Sequence, residues 1–429
     1  MQRLFAIAAS LLLALTPQQQ RGKQLYLTGE SAAPRKPTAL ISADEVEVSA
    51  SVVPCASCHG RDGKGRAEGG ITPANIRWDT LLQATDARPA YTKPLLKRAI
   101  AMGIGANGKP LEVAMPRYRM TLEDMSDLLA YLEQLPTDRD PGLSDDAIRI
   151  GAVLPPNEDA PVRTMLTKYY AKVGPIFGRT IEPVFATTSG SATERATALQ
   201  HFVDTQQPFA IAASWLTGAD AEMAAVAETT QVPTIAAFSI AVSADAKYVY
   251  PMLAGEEEQG DALVAAAGGT RLLTVRDEPP VVGDHDMLLY LGAPSHLASV
   301  LAAAAAAPAP PFVLIPAAHS SGAVASLPPA LKGRVLIALP SSAKDVTEDG
   351  AAELQALGVA QEHVTACRIA LASAKLLVEA LRRNGRDVSR ESLVNTLDAF
   401  YAVPTGVAPP VTWAAGKHTG SSAVTIMRP

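Results

Sequence analysis

A chain of 429 residues is too long for one ordinary hydrophobic core, so two or three domains are expected. Its net charge of −6, without polybasic runs or basic stripes carrying interleaved aromatics, argues against nucleic acid as a partner. Sparse aromatics and abundant alanine favour helices and parallel-sheet units over an all-β sandwich.

The first residues, "MQRLFAIAASLLLALTP", place one positive charge at Arg3 ahead of an apolar run from Leu4 to Leu15. That is the pattern of a signal peptide, and it is too short to span a bilayer comfortably. Residues 1–17 are therefore read as a signal peptide that exports the chain to the periplasm. No cysteine lies nearby to carry a lipid, and no later run suggests a stable membrane span.

Residues 54–65 read "PCASCHGRDGKG", which puts Cys55, Cys58 and His59 together in a chain whose one other cysteine is Cys367. Three chemistries use such a cluster. A structural zinc site needs four protein ligands, and no second pair exists to complete one. A thioredoxin-type pair should open a helix after a strand, for which "SASVVP" leaves little room. C-x-x-C-H is the spacing of covalent haem attachment, where two thiols reach two vinyl groups and the next imidazole is delivered to the iron. The spacing therefore predicts one covalent haem c.

Such an iron needs a second axial ligand if it is to pass electrons. Met102, Met115, Met120 and Met125 follow downstream. In "RMTLEDMSDLLAYLEQL", Thr121 is a natural N-cap with Asp124 at the reciprocal position, so a helix begins near Leu122. Leu122, Met125, Leu128, Leu129, Leu132 and Leu135 form its apolar stripe, which puts Met125 in the core and leaves Met120 to staple the helix start. Met102 ends "PLLKRAIAM" before Gly103 and is expected to pack against its neighbours. Met115 lies in the loop "LEVAMPRY", held extended by Pro116, with no structural task of its own. It is the expected distal ligand.

Residues from about 20 to 136 resemble a class I c-type cytochrome: a helix "RGKQLYLTG", the site "CASCHG", a glycine-rich loop, a methionine-proline loop and a last helix with "AYLEQL". The resemblance implies that Cys55 and Cys58 form thioethers, that His59 is the proximal ligand and Met115 the distal one, and that Pro73 offers its carbonyl to the imidazole. The stretch from Gly29 to Val53 is longer than that pattern needs.

"TDRDPGLSDD", within residues 137–146, reads as a linker. The halves differ in charge, about +1 over residues 18–140 and about −8 over 141–429. Beyond the linker, "IRIGAVLP", "TIEPVFATT", "PFAIAASW" and "PTIAAFS" alternate with alanine-rich helical stretches, which calls for a parallel sheet covered by helices. Cys367 falls on an apolar helix face as a buried thiol.

Residues 147–429 resemble the type 1 periplasmic binding proteins, the branched-chain amino acid receptor class, in the order of these strands and in the closing segment from "RRNGRDVSRESLVNTLDAF" onward. The expected fold is thus an α cytochrome c domain (18–136) followed by an α/β two-lobed periplasmic-binding-protein-like domain (147–429). The resemblance implies a ligand cleft at the strand carboxyl ends, to which Ser214, Thr217, Ser239 and His319 could contribute. Trp215 and Phe238 crowd positions that are usually small, Ile240 stands where a hydroxyl is expected, and "RLLTVRDEPPVVGDHDMLLYLG" shortens the second lobe. No catalytic triad, phosphate loop or paired carboxylates emerge, so no enzymatic activity is expected.

These readings describe an exported electron carrier. Its expected partners are periplasmic redox proteins (a dehydrogenase, a cytochrome or an oxidase), with a small-molecule ligand as a further one, and Lys93, Lys97, Arg98, Lys109, Arg117 and Arg119 flank the methionine loop to steer an acidic surface. The alternative is a solute receptor of a transport system carrying a haem redox sensor; a haem peroxidase is a third reading.

Overall fold

The computed structural model describes residues 15–42, 44–65, 73–239, 241–243, 246–276 and 286–429. The signal-peptide run, Ile240 and much of the glycine-rich loop after the cysteine pair lie outside these. The chain divides into two units, Met1–Arg139 and Asp140–Pro429.

The first unit begins with α1 (Pro17–Thr28), capped by Thr16, whose side chain and that of Gln19 exchange the reciprocal bonds of a capping box. There follow β1 (Thr38–Ile41), β2 (Val46–Ser49), α2 (Cys55–His59), α3 (Trp78–Leu81), α4 (Lys93–Met102), β3 (Arg117–Arg119) and α5 (Leu122–Gln134). The Thr121–Asp124 capping box opens α5 as its sequence predicts. Met125, Leu128, Leu129, Leu132 and Leu135 are buried, whereas Leu122, the first residue of the helix, is 76% exposed.

Helices α1 and α5 cross where Gly22 meets the backbone of Asp127, and Tyr26 packs on Tyr131 with ring centroids 5.6 Å apart. Arg21 forks onto Asp127 at 2.6 and 3.1 Å beside this crossing. The core of this unit gathers Leu25, Tyr26, Leu96, Ile100, Tyr118 and Leu128 around the two helices.

In the second unit come β4 (Ala147–Leu154), α6 (Asp159–Val173), β5 (Thr180–Thr187), α7 (Ala192–Gln206), β6 (Ala210–Trp215), α8 (Asp220–Thr230), β7 (Thr234–Phe238) and β8 (Val249–Pro251). They build a five-stranded parallel sheet of order β5-β4-β6-β7-β8. Next are α9 (Glu256–Ala267), β9 (Leu272–Val275), β10 (Met287–Tyr290), α10 (Leu297–Ala305), β11 (Phe312–Pro316) and β12 (Val335–Leu339). The chain closes with α11 (Glu348–Ala356), α12 (Val364–Asn384), α13 (Arg390–Leu397) and β13 (Thr425–Met427). The second sheet has the order β13-β12-β11-β10-β9, antiparallel only at β13.

The chain passes between the sheets after β8, after β12 and after α13. α12 is buried along most of its length in the core of the first sheet, with Cys367 1% exposed among its apolar neighbours. Residues 140–146 pack on this unit: Asp140 accepts from the Arg390 amide at 2.7 Å, and the Gly142 carbonyl accepts from Arg149 at 2.7 Å. No described helix is long and apolar enough to cross a membrane.

Candidate functional site

The short helix α2 starts at Pro54 as N-cap and ends at Gly60, whose φ of 74° turns the chain sharply after His59. His59 is buried, and its Nδ1 lies 2.9 Å from the carbonyl oxygen of Ala74. A carbonyl can only accept, so Nδ1 carries the proton and Nε2 keeps its lone pair. Burial pushes the imidazole pKa down, against the opposing bond to Ala74, which favours the neutral ring that a metal requires.

Pro73, whose carbonyl was expected to accept from His59, is one residue out of register. Its oxygen lies against Gly65, where a Cβ would come within 2.2 Å of it. Only glycine fits that position, which also has φ +85°. The loop is fastened further by the Gly65 amide on the His59 carbonyl at 2.9 Å and the Ile76 amide on Gly63 at 2.8 Å. Tyr26 of α1 donates its hydroxyl to the Gly60 carbonyl at 2.6 Å, which anchors the end of α2.

Cys55 is half-buried and Cys58 exposed, and neither is in a disulfide. Burial pushes the Cys55 thiol up to about 12. Among the described residues, no three of His, Cys, Asp and Glu converge to hold a metal ion. The donor set that remains, two thiols on one helical turn and a single imidazole nitrogen, fits a covalently attached haem.

The methionines occupy different places. Met125 is in the core, 4% exposed. Met120 and Met115 are partly buried against the same core. Met102, expected to be packed, is 60% exposed instead. The core face of α4 is set by Leu96, Ala99 and Ile100, and Met102 is the last residue of the helix, beyond that run and next to the Gly103 cap. Met115 closes a turn, its amide donating to the Glu112 carbonyl at 3.0 Å, and β3 begins two residues later.

Several of the flanking basic residues are engaged locally. Lys93 pairs with Glu133 at 2.8 Å, Arg119 with Glu47 at 3.2 Å, and Arg98 donates to the Gly105 carbonyl at 2.6 Å. Arg117 is half-buried and lies over Gly103, while Lys97 and Lys109 are exposed.

In the second unit, Ser214, Thr217 and Ser239 meet at the carboxyl ends of β6 and β7, where Trp215 pairs with Phe238. The Trp215 and Phe238 rings pack with centroids 4.6 Å apart and planes tilted by 32°, filling this end of the sheet with aromatic surface. Ala213 has φ 55° within a bulge of β6, held by its amide bond to the Ser373 hydroxyl at 2.7 Å. Ser214, the next residue, is 1% exposed, and its Oγ has no hydrogen-bond partner among the described residues.

The amides that could receive a ligand carboxylate are already bonded. Leu216 and Thr217 donate to the Phe238 carbonyl at 2.7 and 3.3 Å, Ala219 to Leu216 at 2.8 Å, and Gly218 to the Asp220 carboxylate at 2.9 Å. Asp220 therefore brings a negative charge to the start of α8. His319 belongs to the other sheet, following β11. It is buried rather than solvated, with Nδ1 2.8 Å from the Gly292 carbonyl and Nε2 3.1 Å from Glu256.

Comparison with known proteins agrees with this geometry. Residues 48–136 match the family model described as cytochrome c, and residues 164–284 match the one described as periplasmic binding protein. The chain joins a cytochrome c domain to a periplasmic-binding-protein-like domain. The cytochrome c domain carries covalently bound haem c, for which Cys55, Cys58 and His59 supply the C-x-x-C-H motif.

Among solved structures, a fatty acid ABC transporter substrate-binding protein from Thermomonospora curvata is similar at a TM-score of 0.52 and 17% identity, over 68% of this chain and 90% of that one. A branched chain amino acid ABC transporter from Thermus thermophilus with bound valine is similar at a TM-score of 0.51 and 14% identity, over 66% and 94%. These likenesses establish the two-lobed α/β fold of the binding-protein-like domain. No curated protein matches the chain.

Two features of the cytochrome c domain have weak sequence signals. Tyr118, in the stretch "MPRYRM" and on β3, donates its hydroxyl to the Val53 carbonyl at 2.5 Å. Ala74, the partner of His59, carries nothing in its side chain to betray it.

Proposed function

We propose that the chain is an exported c-type cytochrome, in which Cys55 and Cys58 hold the haem and His59 and Met115 ligate its iron, and that it passes single electrons between periplasmic redox proteins. The observation that carries this reading is the His59 imidazole, buried and fixed by Ala74 so that Nε2 is the free nitrogen. When bound, the haem supplies a one-electron iron couple, and a thioether opposite an imidazole favours the ferrous state and raises the potential.

The protein's own contribution is positioning and exclusion of water. Tyr26 and the Gly65–Pro73 approach fix the proximal segment. The Glu112–Met115 turn offers the thioether from a partly buried position. The exposed Lys97 and Lys109 support docking of an acidic partner. The capping box at Thr16 supports a signal peptide that ends ahead of Thr16 rather than at residue 17, since a cut after Pro17 would cost α1 its cap.

For the binding-protein-like domain we propose partner docking rather than capture of an amino acid. A small carboxylate such as valine, bound in the Thermus thermophilus neighbour, would meet engaged amides, the Trp215–Phe238 pair and the Asp220 charge. The overall proposal is tested by mass spectrometry of the peptide spanning Cys55–His59, from protein made in a cytochrome-maturing host. A haem adduct on both cysteines is expected. An unmodified peptide would refute it.

A further inference from the structure

The stretch from Gly29 to Val53 places two strands between α1 and the cysteine pair, and the fold gives them a definite task. β1 pairs antiparallel with β2 on one side and with β3 on the other, and β3 is the strand that leaves the Met115 turn. The register sets Thr38 opposite Arg119, Ala39 opposite Tyr118 and Leu40 opposite Arg117. Ala39 and Tyr118 are both in the core, at 0% and 4% exposure. From there the Tyr118 hydroxyl donates to the Val53 carbonyl at 2.5 Å, two residues ahead of Cys55. On β2, Glu47 accepts from Thr38 at 2.6 Å and from Arg119 at 3.2 Å, reaching across β1.

We infer that this three-stranded sheet and Tyr118 form a clamp that ties the Met115 loop to the Cys55 segment and sets how readily the distal position opens to a small exogenous ligand such as imidazole. The inference rests on Met115 being the distal ligand. Only Pro116 separates Met115 from β3, and the proline ring fixes φ there, so the methionine has little slack of its own. Moving it away requires breaking the Glu112–Met115 turn or peeling β3 from β1. Tyr118 acts as a positioning residue, since its hydroxyl bonds the segment ahead of Cys55 while its backbone belongs to the strand after Met115.

The test is an imidazole titration, followed by absorption, of the ferric haem-loaded full chain as wild type, Tyr118→Phe and Met115→Ala. Losing one hydrogen bond of ordinary net strength should let Tyr118→Phe bind imidazole about fivefold to tenfold more tightly. Unchanged affinity in that variant would overturn the clamp. Met115→Ala separates the two readings. If its ferric spectrum equals that of wild type, the ligand assignment fails. If its spectrum changes while Tyr118→Phe titrates like wild type, the clamp alone fails. Should Tyr118→Phe not fold, hydrogen exchange on the wild type decides: saturating imidazole should speed exchange of the 38–41 and 117–119 amides, and unaltered exchange would contradict the clamp.

Discussion

Gly22 of α1 lies so close to α5 that a Cβ at this position would come within 2.0 Å of the carbonyl oxygen of Asp127. The obstacle is backbone, which cannot rotate aside. The crossing also carries the Tyr26–Tyr131 contact and the Arg21–Asp127 fork, so the proximal anchor from Tyr26 to Gly60 depends on it. Gly22→Ala is expected to destabilise the cytochrome c domain by about 3 kcal/mol, through overpacking that has no local relief. Denaturant melts of the haem-loaded protein would measure this, and a loss below about 1 kcal/mol would mean that the helices separate cheaply.

The binding-protein-like domain has a comparable keystone in Arg390. Its guanidinium, almost fully buried, donates to the carbonyls of Pro208, Thr230 and Phe209 at 2.7, 3.1 and 3.1 Å. Arg390→Met keeps the bulk but strands three acceptors, which should cost about 3 kcal/mol or more. Thermal melts of the variant would reveal the loss, and an unshifted transition would show that these bonds contribute nothing net.

Tyr170 supplies a pH prediction. Burial, and then the neighbouring Tyr169, push its phenol pKa well above the usual range, so the folded protein keeps it neutral where the unfolded chain ionises it. A raised folded pKa means that this stability is complete below about pH 10 and is lost progressively as the pH rises beyond it. The Tyr170 hydroxyl has no hydrogen-bond partner among the described residues. Tyr170→Phe should therefore be neutral or stabilising by about 1 kcal/mol at pH 7 and should flatten the alkaline fall. Melts between pH 8 and about 11, with tyrosinate absorbance as a second signal, would check both statements. An unchanged alkaline limb would contradict them.

Calorimetry with valine should give no binding heat in either the ferric or the ferrous protein. The engaged amides of Leu216, Thr217, Gly218 and Ala219, with the Asp220 carboxylate among them, lead to this expectation. Binding whose affinity differs between oxidation states would instead favour the redox-gated receptor, because linkage makes the coupling reciprocal.

The features legible in the sequence were those encoded locally. The Thr121–Asp124 box and the Met125–Leu135 stripe each need fewer than four turns of chain to declare themselves, and the strands from Ala147 to Phe238 announce themselves by apolar runs. The Ala39–Tyr118 pairing was not legible, since β1 and β3 are short and distant in sequence, and their partnership is decided by tertiary packing. Ala74 in place of Pro73 is a one-residue register in an irregular loop, which no periodicity fixes. Met102 ends its helix, where the buried run Leu96, Ala99 and Ile100 has run out, and an end position carries no periodic signal of burial. The engagement of the loop after β6 turns on Asp220 folding back onto Gly218, a local bond that its charge alone did not single out.

The most direct test of a haem iron held by His59 and Met115 is the absorption spectrum of oxidised and reduced protein, recorded for wild type and for Met115→Ala. A low-spin wild type is expected in both states, with a ferric variant that loses the methionine charge-transfer band and turns high-spin or binds water. A high-spin wild type, or a variant with an unaltered spectrum, would contradict it.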